Sequence, residues 1–135
     1  PPKPALSSPS DGSRVGFVGS VTPTFEWSAV TDDSGVSYSL QIATSANFTS
    51  VLVSLTDLTQ TSYTLPDTQA LSHGSYYWRL KAIDGAQNGS GWTTAYSFQS
   101  GLLPLWGFIA AIVLIVVLIG FLVYFFAIRG RRFYD

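Results

Sequence analysis

The chain of 135 residues is 47% hydrophobic, 15% aromatic and only 11% charged, with a mean hydropathy of +0.28, too apolar for one uniform soluble globule. Residues 1–104 hold four basic against seven acidic side chains, a balance of −3 with no basic stripe, which argues against nucleic-acid binding through clustered Lys and Arg. With no cysteine there is neither a disulfide framework nor a thiolate zinc site.

Residues 1–4, Pro1-Pro2-Lys3-Pro4, read as a stiff extended linker, so the expectation is the C-terminal part of a longer chain. From residue 5 to 100 the signals are short alternating runs separated by turn residues, with no amphipathic helical period, which predicts an all-β domain. The runs are Ala5 to Ser8, Thr24 to Ser28, Val36 to Ala43, Val51 to Leu55, Ser62 to Leu65, Tyr76 to Ile83 and Thr93 to Gln99. In the second, Phe25 and Trp27 point inward against Glu26; in the sixth, Tyr76, Trp78, Leu80 and Ala82 alternate with Tyr77, Arg79 and Lys81. Seven strands with one apolar face each predict a seven-stranded antiparallel sandwich of immunoglobulin-like form.

After a linker at 101–104 comes an uncharged run, LWGFIAAIVLIVVLIGFLVYFFAI, over residues 105–128. At about 1.5 Å per residue it reaches roughly 36 Å, enough for a transmembrane α-helix across a bilayer core of about 30 Å. Trp106 marks one interface, and Arg129, Arg131 and Arg132 the other. No Lys or Arg occurs in the twenty residues before Leu105, so the positive-inside bias puts the tail, 129–135, in the cytoplasm and the domain outside a plasma membrane. The partner is thus the lipid bilayer. Gly107 and Ala111 form a small-xxx-small pair that would suit a helix–helix contact.

The segment LSHGSYYWRLKAIDGAQNGSGW, with TPTFEWSAV before it and AYSFQ after it, resembles fibronectin type III domains, especially a variant from prokaryotic surface proteins. The resemblance implies that Trp27 is the core tryptophan of the second strand and that a corner tyrosine sends its hydroxyl to backbone near Leu71. Tyr76 and Tyr77 are both candidates for that corner, and the inward parity of Trp78, Leu80 and Ala82 favours Tyr76. The same fold implies that the loops 31–35, 56–61 and 84–91 share the pole of the N-terminus and face away from the membrane.

Catalytic signals are missing: one histidine, His73, stands in a predicted turn, and no glycine-rich phosphate loop follows a strand, so neither an enzyme nor a cofactor is expected. Asp32, Asp33, Asp57 and Asp84 fall in the three outward loops, a candidate calcium site of hard oxygen donors; acidic turn residues also have plainer reasons to be there. Asn47 and Asn88 open glycosylation triplets. Tyr77 and Trp92, beside Arg79 and Lys81, are candidates for an aromatic surface that would take sugar or protein. Leu103-Pro104-Leu105-Trp106-Gly107 resembles a sortase signal with Trp106 in place of the required Thr, so permanent anchoring is expected. The resulting expectation is a non-catalytic, membrane-proximal spacer; the alternative is an adhesion or ligand-binding domain acting through the outward loops, or a single-span subunit of a membrane complex.

Overall fold

A computed structural model describes residues 1–131. The two-layer sandwich follows from the alternating runs. One sheet has three strands in the order β1 (Leu6–Ser8), β3 (Thr24–Trp27) and β6 (Ser62–Thr64). The other has five, ordered β2 (Ser13–Val15), β8 (Tyr96–Ser100), β7 (Gly74–Asp84), β4 (Val36–Ala43) and β5 (Val51–Leu58). The period of two decides which side chains enter the space between sheets. Along β7, Tyr76, Trp78, Leu80, Ala82 and Asp84 are buried while Tyr77, Arg79, Lys81 and Ile83 between them are only partly so. Tyr38, Leu40 and Ile42 of β4 lie directly across from Ala82, Leu80 and Trp78.

Aromatic rings fill the centre. Phe25 meets the edge of Trp78 at a centroid distance of 5.1 Å and of Phe98 at 5.8 Å, and Trp27 meets Tyr38 at 5.5 Å. Such offset contacts add to the area they bury. The Trp78 indole N–H also donates to the carbonyl of Pro9 at 3.2 Å, tying the crossing between β1 and β2 to the core.

The corner tyrosine is Tyr76. Its ring is buried against Phe98, and its hydroxyl donates to the Ser72 carbonyl at 2.9 Å, one residue beyond Leu71. Tyr77 points to the other face of its strand and is half-buried. Tyr76→Phe should therefore keep the packing and lose the hydroxyl's hydrogen bonds to the Ser72 carbonyl and, at 3.3 Å, the Ser72 hydroxyl, lowering stability by about 1 kcal/mol as read from the denaturant midpoint.

The expected strands form, with differences that have local causes. An eighth strand, β2, pairs in parallel with β8, Ser13 to Phe98 and Val15 to Ser100, so the sandwich is not wholly antiparallel. The last strand begins at Tyr96, three residues later than expected, because Thr93 uses its own hydroxyl to accept the Leu80 N–H at 3.1 Å where a strand would offer a carbonyl. β5 continues to Leu58, which leaves only residues 59–61 as loop before β6. The segment 1–4 makes no strand, yet Pro4 is buried against the domain and the Ala5 N–H donates to the Ser28 hydroxyl.

A single helix, α1 (Leu105–Arg131), follows β8. The segment 101–104 between them is pinned to the sandwich: Gly101 N–H donates to Val15, and the N–H groups of Leu102 and Leu103 both donate to the Phe17 carbonyl. Residues 105–130 have a mean hydropathy of 3.1 over their most apolar window, and none of that window is buried.

Candidate functional site

Three places combine chemistry-bearing side chains: the pole of the N-terminus, the outer face of the larger sheet, and the base where α1 begins. β4 runs down from the pole and β7 returns to it, so Val36 and Asp84 meet there in register. The turn at Asp32 to Gly35 and the loop after Asp84 are joined by Ser34. Its hydroxyl donates to Asp32 Oδ1 at 2.8 Å and receives the Gly85 N–H at 3.2 Å. A Cβ on residue 85 would run into the Ser34 carbonyl oxygen, so only glycine lets these loops close together.

Asp84 is the centre of its own loop. Its carboxylate accepts the backbone N–H groups of Ala86 and Asn88, at 2.9 and 2.8 Å, and the Asn88 side-chain amide as well. The Asn88 side chain first, then its backbone N–H, holds the Asp84 carboxyl below the usual carboxylate range, with burial and, more weakly, the charge of Asp32 working against them. Asp32 is lowered mainly by the Ser34 hydroxyl. The sign follows directly: a carboxyl depressed on folding contributes stability above its unfolded pKa, about 3.9, and that contribution is lost as pH falls through the lower folded value. Asp84→Asn should be less stable than the parent at neutral pH and lose less between about pH 6 and about pH 3, as measured by denaturant titration at each pH.

The four candidate calcium ligands do not converge. Asp32 and Asp84 approach one another and Asp33 is exposed beside them, but Asp57 lies within β5, not in a loop. A bulge between Leu55 and Leu58, opposite Leu40 and Tyr38, lets Asp57 take a φ of 60°, and its carboxylate accepts the neighbouring Thr56 hydroxyl. Among the described residues no group of three or more His, Cys, Asp or Glu side chains is placed to hold a metal ion.

On the outer face of the larger sheet, Arg79 lies between two rings, 4.0 Å from the centroid of Phe48 and 4.5 Å from that of Trp92. Gln41, its cross-strand partner, fixes the guanidinium through two hydrogen bonds of 3.0 and 2.8 Å to one side-chain oxygen. Lys81 adds a second cation 5.0 Å from the Trp92 ring. Of the two rings expected to form an aromatic surface, Trp92 is thus engaged within the chain by Arg79 and Lys81. Phe48 was not among the candidates; its only sequence signal is an aromatic between the two polar residues of a glycosylation triplet.

Asn47 and Asn88 are both exposed. The Asn47 side-chain oxygen accepts from Thr49, whereas the Asn88 amide nitrogen is held by Asp84. His73 is exposed at the base, beside a cleft of about 620 Å³ bordered by Ser72, Pro104 and Trp106. Gly107 is half-buried beside Pro104 and Ala111 is exposed. Arg129 lies within α1, while the Arg131 side chain and Arg132 fall outside the described residues.

Comparison with solved structures returns matches of low identity. A Fn3-like protein from Clostridium thermocellum is 21% identical with a TM-score of 0.47, covering 72% of this chain and 98% of that one. CopC from Methylosinus trichosporium OB3b is 16% identical with a TM-score of 0.47, covering 75% of this chain and 94% of its own. Streptomyces avermitilis alpha-L-rhamnosidase complexed with L-rhamnose is 18% identical with a TM-score of 0.46, covering 73% of this chain but 11% of the enzyme. No curated protein matches the chain. A family model described as Rha78A-like, N-terminal immunoglobulin domain matches residues 13–104, from β2 through β8 to the residue before α1. The chain therefore belongs to the Rha78A-like N-terminal immunoglobulin domain family, a sandwich here followed by a long apolar helix.

Proposed function

We propose that the chain is a non-catalytic, membrane-proximal surface module: an outward sandwich that acts as a spacer, held by α1 as a single span, with residues 129–135 on the cytoplasmic side. The observation that carries this reading is the helix. A run of 26 residues with a hydropathy of 3.1 and no part of its apolar window covered by the sandwich needs an apolar environment from elsewhere. A buried core helix of a soluble domain would instead be enclosed by its own chain.

The polar groups support a spacer over a recognition domain. Asp84 is engaged by Asn88, Asp32 by Ser34, and Trp92 by Arg79 and Lys81, so the side chains best suited to a ligand have partners inside the domain. An enzyme reading has one histidine to build on, exposed at the base, and among the described residues that histidine makes no hydrogen bond to a nucleophile.

Single cysteines test the topology, since the chain has none of its own. With the chain exported in cells, Asp33→Cys should react with a membrane-impermeant maleimide on intact cells, and Phe133→Cys only after permeabilisation. Labelling of both in intact cells, or the reverse order, would overturn the single-span reading.

A further inference from the structure

We infer that the base of the sandwich rests in the interfacial layer of the bilayer, with Phe17, Leu102 and Leu103 as its lipid-contacting side chains; this rests on the single-span reading above. Exposed apolar residues in the sandwich are not spread evenly. Its large hydrophobic side chains of high exposure are Phe17 at 60%, Leu52 at 54%, Leu102 at 43%, Val51 at 39% and Leu103 at 37%. Phe17 follows the base end of β2, Leu102 and Leu103 lead into α1, and Val51 and Leu52 open β5 at its base end, where Val51 faces Ala43.

Charge has the opposite distribution. Of the base segments, 16–23, 44–50 and 101–104 contain no charged residue and 65–73 carries only Asp67, with the Arg14 guanidinium bonded to the Gly101 carbonyl, whereas Asp32, Asp33 and Asp84 gather at the far pole. A base that meets lipid headgroups and acyl chains gains from apolar and aromatic side chains there.

The placement of Phe17 is built, not incidental. Gly16, at a φ of +73°, turns the chain after β2, and a Cβ there would strike Val21. The Phe17 carbonyl then accepts the N–H groups of Leu102 at 2.7 Å and Leu103 at 3.2 Å, and Val18 bridges in parallel to Leu103. These bonds fix the Phe17 backbone two residues from the first residue of α1. If α1 enters the bilayer at Trp106, which is 76% exposed, Phe17 stands at the level of the interface. Continuity with the apolar helix names the occupant as lipid.

The test uses the whole chain in phosphatidylcholine–phosphatidylglycerol nanodiscs, with the fluorophore NBD on single cysteines and nitroxide-bearing lipids as quenchers. Phe17→Cys and Leu102→Cys probe the base, Asp33→Cys the far pole, and Leu118→Cys the middle of the helix. Shallow nitroxides should quench NBD at 17 and 102 at least threefold more than at 33, with emission shifted to the blue. Quenching at 17 and 102 no greater than at 33, while deep nitroxides quench 118, would overturn the docked base and leave the spanning helix standing. Blue-shifted emission at 17 without lipid quenching would also overturn it, because the base would then be covered by protein. No quenching at 118 would remove the spanning helix and the docked base together.

Discussion

Trp78→Ala should lower the stability of the sandwich by about 3–5 kcal/mol, the usual cost of emptying a large aromatic site in a core. Trp78 is fully buried, meets Phe25 edge-on at 5.1 Å and Tyr96 at 6.1 Å, and spans the strand pairs of the larger sheet. Its indole N–H also satisfies the Pro9 carbonyl, so alanine leaves both a cavity and an acceptor without its donor. Against a total stability of about 5–15 kcal/mol, that loss brings a domain of this size close to unfolding. Trp78→Phe keeps a ring between Phe25 and Tyr96 and should cost markedly less. Near-UV circular dichroism of the whole chain in detergent, titrated with denaturant, separates the two; equal midpoints for parent and alanine variant would show that the ring is not the centre of the core.

Placing arginine at both Val117 and Leu118, near the middle of α1, should release much of the chain from membranes. On an insertion scale each central arginine costs about 2.5–3.5 kcal/mol, while each Leu, Ile, Val or Phe contributes about 0.3–0.6 kcal/mol in favour. The pair therefore opposes most of what the apolar residues of the helix supply. The sandwich does not touch the middle of α1, so its fold should be unaffected. Alkaline extraction of membranes reads the result: the parent should stay in the pellet, and the double variant should shift to the supernatant. Retention of the double variant at the parent level would sink the view that α1 holds the chain by spanning.

Much of the fold was legible because it rests on local pattern. Alternation placed Phe25, Trp27, Trp78, Leu80 and Ala82 on inward faces, and all are buried. An uncharged run marked α1 from Leu105. The choice between Tyr76 and Tyr77 followed from the same parity and was decided by a hydroxyl reaching Ser72.

The candidate sites were far less legible. Alternation ends at Leu55, which places Asp57 in a loop, yet a bulge carries β5 on to Leu58. Trp92 is an available ring by sequence, yet Arg79 and Lys81 cover part of it. A list of residue types in loops does not reveal which side chains already hold one another.

By itself the sequence determined an all-β sandwich, its buried aromatic residues, and one helix too apolar for water, since periods of two and uncharged runs are properties of neighbouring residues. Only the tertiary structure decided the parallel pairing of β2 with β8, the Arg79 stack between Phe48 and Trp92, and the gathering of exposed apolar side chains at one end of the sandwich. Three residues are too few to show a period, and each of these features joins segments well separated along the chain, brought together by the folded sheet. The opening contrast between high hydropathy and low charge thereby becomes a direction in space: exposed apolar surface toward the helix, the cluster of Asp32, Asp33 and Asp84 at the opposite pole.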